Sequence, residues 1–350
     1  MTLDPARPVL VTGGGGFLGG AVVAMLRGRG LPARSLSRRR YDRLDAMEVE
    51  QIQGDVADPA AVDRAVAGCQ AVFHVAAKAG LWGPHAEYYR ANVQGTRNVI
   101  EACLRHGVRK LIHTSSPSVV FHGTDLEGVD ESAPYADRYE AAYPETKAVA
   151  EKLVLAVDGA DLATVVLRPH LIWGPGDNNI LPRIYARARA NRLFRIGRGN
   201  PLIDLTYIDN AAAAHLLAAD RLDVGSPIAG KVYFIAQGEP VPLWDMVDRF
   251  LAIAGLPPVR RSVPKGLAVT LAGALEAVYR TFRLPGEPRM TRFLAHELST
   301  AHWYNLEAAR RDLGYAPHVS IEEGLRRLAE SLRDDDGRAQ PAVATGASGS

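Results

Sequence analysis

Tyr143 and Lys147 stand four apart in the run YPETK, a spacing that puts both side chains on one face of a helix. A phenol has an ordinary pKa of about 10 and exchanges protons poorly near neutrality. A lysine ammonium beside it favours the phenolate. Tuned in this way, Tyr143 can give a proton to a carbonyl or take one from an alcohol. Pro144 has no N–H and suits only a first helical turn, so either the helix starts near it or its hydrogen-bond ladder is locally broken. Ser116, in LIHTSSPSVV, ends a strand-like run, where its hydroxyl can hold a substrate oxygen beside Tyr143. Each signal has a plain alternative: a surface Tyr–Lys pair, and turn chemistry at Ser115 and Ser116 ahead of Pro117.

These groups need a reaction partner, and VLVTGGGGFLGG near the start supplies a place for one. The apolar run Val9–Val11 reads as a buried strand, and Phe17, Leu18, Ala21, Val22, Met25 and Leu26 as one helix face. The glycines therefore sit at a strand-to-helix turn. Glycine permits positive φ and close backbone approach there, and a helix start presents free N–H groups to a pyrophosphate. Two registers fit: Gly14-x-Gly16-x-x-Gly19, and Gly13-x-x-Gly16-x-x-Gly19 behind Thr12. A tight turn with no ligand is the alternative. Bound at this turn, a nicotinamide dinucleotide would trade hydride with the carbon whose oxygen Tyr143 protonates. Lys147 would also reach the nicotinamide ribose.

Further strands are predicted at 33–37, 49–53, 71–75, 110–114 and 163–167, with helices at 17–29, 59–67, about 87–106 and about 140–157. This alternation is the signature of a parallel sheet built from βαβ units. The expected fold is α/β: a Rossmann-type, doubly wound parallel sheet with a smaller, mostly C-terminal substrate-binding cap. Residues 1–170 form the nucleotide-binding part, with returning segments at about 200–235. Residues 171–332 are mainly cap, and 333–350 a small, polar, disordered tail. The chain has 350 residues, 47% hydrophobic and 23% charged, with a net charge of +2. Nothing in that balance calls for nucleic acid. Cys69 and Cys103 give no disulfide framework, and no metal signature appears around His74, His113 or His215. No secretory signal and no spanning apolar run are visible, so a cytoplasmic enzyme is expected.

The second strand ends in SLSRRR, with Ser37 where a ribose-binding carboxylate would stand. Arginine binds a 2′-phosphate that a carboxylate would repel, so NADP(H) is expected, with Arg38 the best-placed cation; a solvated basic turn is the alternative. Asp55 can accept from the adenine amino group or cap its own turn. The small residues of FHVAAKAG let backbone pass beside the cofactor ribose. The expected cofactor contacts are Thr12, Gly13, Gly15, Gly16, Phe17, Leu18, Gly19, Ser37, Arg38, Asp55, Val56, Ala76, Ala77, Lys78, Tyr143, Lys147 and Pro169; the catalytic set is Ser116, Tyr143 and Lys147.

TGGGGFLG, ANVQGTRNVI, TSSPSVV, YPETK and LRPHLIWGPGD occur in the order of the landmarks of the extended short-chain dehydrogenase/reductase family. The chain resembles that family's 3β-hydroxysteroid dehydrogenase branch to about residue 330. The resemblance implies a Rossmann fold and the roles given to Ser116, Tyr143 and Lys147. FHVAAKAGLWG, RPHLIWGPGDNNILPR, TYIDNAAAAH, RLPGEPRMTRFLAHEL and HWYNLEAARRDLGY are most similar to bacterial members that reduce 2-alkyl-3-oxo acids with NADPH in long-chain olefin biosynthesis. That similarity implies a long-chain β-keto acid as substrate and a β-hydroxy acid as product. It also implies a homodimer and an assembly with a β-lactone synthetase and a β-lactone decarboxylase.

An acid substrate needs a cation, and Lys78, Arg168, His170 and Arg183 are candidates. His302 and Trp303 can enter the pocket or pack in the core. Asp209 reads as a helix N-cap. The apolar stretch 266–286 can line an acyl tunnel, touch a membrane surface, meet a partner or form a buried helix. Other functions remain open: a sterol dehydrogenase using NAD, a sugar-nucleotide epimerase, or an NADP-sensing regulator without turnover, against which the intact Ser–Tyr–Lys set argues.

Overall fold

The computed structural model describes residues 3–339. Seven short strands form its main sheet: β1 (Val9–Thr12), β2 (Ala33–Ser37), β3 (Glu50–Gln53), β4 (Ala71–His74), β5 (Lys110–Thr114), β6 (Ala163–Pro169) and β7 (Lys231–Ile235). All pair in parallel, in the spatial order β7-β6-β5-β4-β1-β2-β3. The sheet is buried on both faces, and successive residues feed opposite cores. Val9, Val11, Ile112, Val165 and Leu167 enter one core; Leu10, Leu111 and Val166 enter the other.

Helices cover both faces. α1 (Phe17–Gly28) and α5 (Ile208–Arg221) pack together on the first face, α5 feeding a run of buried alanines into the core. α2 (Pro59–Val66) and α3 (Gly95–Arg105) cover the second. α4 (Ala142–Ala156) lies beside β6. The order reverses between β1 and β4, and crevices at such a switch open beyond the strands' carboxyl ends.

A small second sheet, ordered Val241–Pro242, Leu202–Ile203, His302–Tyr304 and Leu126–Val129, stands beside the main one. The strand Leu126–Val129 comes from the segment between β5 and α4, so the amino-terminal half also contributes to this layer. Two further helices complete it: α6 (Lys265–Thr281) and α7 (Arg292–Glu297), packed on each other.

Four expectations need correction. The helix predicted at 87–106 is a short helix His85–Tyr88, a π-helical turn Tyr89–Gln94 and then α3. Asp209 does not cap α5: Tyr207 holds that position, and Asp209 pairs with Arg327 at 3.0 Å. α6 buries Ala268, Ala272 and Glu276 but exposes Leu267, Leu271 and Val278, so it is not an all-round core helix. A carboxyl-terminal helix, Ile321–Ala339, runs through the first part of the segment expected to be disordered; residues 340–350 lie outside the described residues. Cys69 and Cys103 are free and buried. No helix among the described residues is long and apolar enough to cross a membrane.

Candidate active site

The glycine turn joins β1 to α1. Gly13 has φ +71°, a conformation that favours glycine. A Cβ on Gly19 would fall 2.2 Å from the Gly13 carbonyl oxygen, and one on Gly15 would fall 2.0 Å from the Tyr41 ring. The turn therefore approaches its neighbours as closely as backbone allows. Ser37 contributes directly: its hydroxyl accepts from the Gly15 N–H at 3.1 Å. Phe17 and Leu18 open α1 behind the turn.

Thr12 is fully buried, and its side chain faces the sheet. Its hydroxyl accepts from the Ala76 N–H at 3.1 Å and bonds His74 Nδ1 at 2.8 Å. His74 Nε2 meets Thr96 Oγ1, which in turn donates to the Asn92 carbonyl. Donor and acceptor roles then follow: His74 donates to Thr96 and accepts from Thr12. Thr12 thus fixes the ends of β1 and β4 against each other, which places Gly13 beside Ala76; it does not present its hydroxyl to a ligand.

The π-helical turn sets the next stretch. Asn92, buried in it, accepts from the Lys78 N–H and donates to the Lys78 carbonyl and to Thr146 Oγ1. This one side chain pins the loop bearing Ala76, Ala77 and Lys78 to α4. Sequence spacing gave no sign of that role, because it depends on the extra residue of the π turn. Val56 packs against Gly95. The Asp55 carboxylate caps its own turn at Ala57 and pairs with Arg90 at 2.7 Å, the second of the two roles considered for it.

Beyond β2 the three arginines differ. Arg40 pairs with Asp45 at 2.7 Å, and the Arg39 guanidinium lies 4.9 Å from the Tyr41 ring centre. The Arg38 backbone carbonyl accepts from Gln53, which fixes the chain while its side chain stays exposed. Arg43 is an additional residue that the motif did not indicate. Its guanidinium donates to the Gly15 and Gly16 carbonyls and so sits at the glycine turn itself.

β5 delivers Ser116 and the first turn of α4 delivers Tyr143. Pro144 falls within that turn, where its missing N–H costs nothing. Ser116 caps the short helical turn Pro117–Val120, accepting from the Ser118 N–H. The same hydroxyl is close enough to the Tyr143 phenol to lower its pKa. Lys147, one turn later, is 3% exposed. Its Nζ donates to the Thr114 carbonyl at 2.5 Å and lies 3.4 Å from His113 Nε2. Ser116, Tyr143 and Lys147 therefore converge at the carboxyl end of β5, and Pro169 ends the adjacent β6.

The electrostatics of the pair differ from the expectation. Burial raises the Tyr143 pKa, the Ser116 hydroxyl lowers it, and Glu297 and Tyr88 raise it further. Burial pulls Lys147 down to about 8. With its ammonium directed at Thr114, Lys147 does not by itself hold the phenol ionised.

The cation candidates also sort themselves. Arg168 is largely engaged: its Nε and Nη2 donate to the Glu151 carboxylate and its guanidinium lies against Tyr135 and Phe234, while its Nη1 is buried without a hydrogen-bond partner. Lys78 pairs with Glu87, and Arg183 with Glu287. His170 is buried, with Nδ1 donating to the Asp204 carbonyl, and burial lowers it to about 4. In the strand His302–Tyr304, alternate residues face opposite ways. His302 and Tyr304 meet the His170 ring, while Trp303 stacks over Gly128 and lines a separate cleft of about 400 Å³. Glu297, which ends α7, joins His170 and His302; one polar atom from each lies within 4.8 Å of the others. Burial raises Glu297 to about 7.

Residues 10–264 match the model of the 3-beta hydroxysteroid dehydrogenase/isomerase family. The chain belongs to that family. It is similar, at 51% identity over 92% of this chain and 98% of the relative, to a 2-alkyl-3-oxoalkanoate reductase of Stenotrophomonas maltophilia. A protein of the same description from Shewanella oneidensis is 46% identical over 92% of this chain and 85% of its own length. Among solved structures, MoeE5 in complex with UDP-glucose and NAD superposes with a TM-score of 0.72 at 25% identity, over 94% of this chain and 99% of that one. The glycine turn, Ser116, Tyr143 and Lys147 all stand at the carboxyl ends of the parallel strands of this family member.

Proposed function

We propose that the protein is an NADPH-dependent reductase that converts the 3-keto group of a long-chain 2-alkyl-3-oxo acid to the 3-hydroxyl. The observation that carries the reaction type is the convergence of Ser116, Tyr143 and Lys147 beside the glycine turn. The identity to two 2-alkyl-3-oxoalkanoate reductases carries the substrate class.

The turn at Gly13–Gly19 fits a dinucleotide, since a Cβ would close it at Gly15 and Gly19. The N–H groups of this turn and the start of α1 would hold the pyrophosphate; Ala76, Ala77, Lys147 and Pro169 would flank the nicotinamide end, and Val56 and Asp55 the adenine end. When bound, the dinucleotide supplies the hydride for the keto carbon. Ser116 holds the keto oxygen, and the Tyr143 phenol passes its proton to that oxygen. Lys147 would order the ribose, and when charged it stabilises the phenolate that Tyr143 becomes on giving up its proton, until solvent returns one. The preference for NADPH rests on Ser37 in place of a carboxylate and on Arg38, Arg39 and Arg43 around it.

As in the olefin-forming members it resembles, the product would pass to a β-lactone synthetase and then a decarboxylase, and the protein would work as a cytoplasmic homodimer in contact with them. Residues 1–170 with 200–235 act as the cofactor domain and the rest as substrate cap. Sterol oxidation with NAD is the second reading, favoured by the family description; the absence of an acid at Ser37 or Arg38 disfavours it. The deciding experiment offers purified protein a 2-alkyl-3-hydroxy acid, a sterol and a UDP-sugar, with NADP and then NAD. Cofactor reduction only with the hydroxy acid and NADP is the predicted result. Reduction with sterol and NAD would replace this reading by the second.

A further inference from the structure

A 3-oxo acid carries its charge close to its reacting oxygen. Ordinary bond lengths place the carboxylate within about 4 Å of the keto oxygen. Once that oxygen sits between Ser116 and Tyr143, the carboxylate must lie next to the phenol. The cations near this place have partners already: Arg168 on Glu151, with its buried Nη1 alone left unpaired, Lys78 on Glu87, Arg183 on Glu287, and Lys147 on the Thr114 carbonyl. Glu297 is near enough to raise the Tyr143 phenol by its charge, and it sits in a cluster with His170 and His302, with Tyr304 against the His170 ring.

The hydrogen bonds fix the state of both rings. His170 Nδ1 meets a backbone carbonyl, so it carries the hydrogen and Nε2 is a bare lone pair. Thr300 Oγ1 donates to the His296 carbonyl and therefore accepts from His302 Nε2, which leaves Nδ1 of that ring bare. One polar atom of each ring and a Glu297 carboxyl oxygen lie within 4.8 Å of one another. The donors this cluster can offer are a protonated Glu297 and the Tyr304 phenol, and of the two only Glu297 loses its proton near neutrality.

We propose that Glu297, carrying its proton between His170 and His302, is the residue that binds the substrate's carboxylate, as an acid–carboxylate hydrogen-bond pair. This inference rests on the substrate being a 2-alkyl-3-oxo acid. Burial supports it by holding the Glu297 carboxyl neutral up to about pH 7. His170 and His302 titrate far lower, at about 4 and about 3. Tyr143 and Tyr304 are both raised above the ordinary phenol value. Lys147 titrates at about 8, and Lys265 faces the cluster through His302. An ionised Glu297 would repel the incoming acid, so binding selects the protonated pocket.

The test uses 2-hexyldecanoic acid, which lacks the reacting oxygen, as a competitive inhibitor of 2-alkyl-3-hydroxy acid oxidation by the full chain. Its amide is the uncharged control. For the acid, the inhibition constant should rise about tenfold per pH unit above about pH 7, as a single required proton dictates. For the amide it should stay level. Glu297→Gln keeps a donor and cannot ionise, so its profile should flatten to whatever Lys147 alone contributes. If that variant does not fold, calorimetry on the unaltered protein in buffers of different ionisation enthalpy should show one proton taken up per acid bound above about pH 7, and none with the amide. Identical acid profiles with and without Glu297, or no proton uptake, would overturn the proposal. So would loss of acid binding in Lys265→Met at a level Glu297→Gln does not reach, or loss on chelation with recovery on adding zinc. If the unaltered protein fails to oxidise the hydroxy acid at all, it is the substrate reading that fails.

Discussion

At Tyr143 burial and a serine pull in opposite directions, burial holding the proton on and Ser116 easing it off. A phenol in that balance is a better proton donor than base, which suits reduction of a ketone more than oxidation of an alcohol. Tyr143→Phe should lower turnover by about a thousandfold, the usual scale of one acid–base group, while NADPH affinity measured by fluorescence stays the same. Equal loss of binding would make the residue structural. Around the glycine turn, Arg38→Ala and Arg43→Ala should each weaken NADPH binding by about tenfold and leave NADH untouched, because each removes a charged donor to one phosphate. Equal losses for both cofactors would mean that Arg43 only supports the Gly15 and Gly16 carbonyls. The positions of Ser116, Tyr143 and Lys147 could be read from sequence because each stands at a strand end or in the first turns of a helix, places that local pattern reveals. The Arg168–Glu151 pair could not be read: it is fixed by how α4 packs on β6, and nothing local announces it. Glu297 was silent for the same reason, since only the closure of α7 on the main sheet brings it to Tyr143.

The central strands β1, β4, β5 and β6 and their helices were legible because both faces of a parallel sheet demand apolar runs, while β2 (ARSLS) and β3 (EQIQ), toward the sheet edge, were legible from the βαβ rhythm. The boundaries moved by a residue or two. The π turn at Tyr89–Gln94 was hidden, because its sequence is as helical as its neighbours; the tie from Asn92 to Lys78 and Thr146 accompanies it. The mixed strands of the cap were not resolved beforehand, since two- and three-residue strands carry no period. At this scale the buried Arg168–Glu151 pair makes a clear claim. Arg168→Met should destabilise the protein by about 3–5 kcal/mol in urea denaturation, because it leaves an unpaired carboxylate in the interior. Turnover per folded molecule should be preserved. A selective rise in substrate KM without loss of stability would return Arg168 to the substrate site.

Across the molecule, five histidines are buried and neutral: His74, His113, His170, His215 and His302. Burial lowers all five, to about 3 for His74 and His302 and about 4 for His170 and His215. Unfolded, each would take a proton below about pH 6.5. Their contribution to stability is therefore complete above that pH and is lost as pH falls toward the folded values, by up to about 1.4 kcal/mol per pH unit per ring. Glu297 works in the other sense: raised to about 7, it favours the fold most below the ordinary carboxyl value and less as pH rises through neutrality. Five rings outweigh one carboxyl, so the denaturation midpoint should drop steeply between about pH 6 and about pH 4.5; a level midpoint would show that the rings are solvated. The sheet that buries these rings also brings the glycine turn, Ser116 and Tyr143 to one end, and that convergence is the central claim. Its most direct measurement is label transfer from a 2-alkyl-3-hydroxy acid deuterated at its hydroxyl-bearing carbon. The unaltered protein should move the deuterium onto NADP, read by mass spectrometry of the NADPH formed, and Tyr143→Phe should do so about a thousandfold more slowly. Unlabelled NADPH, or equal rates in the two proteins, would contradict the account.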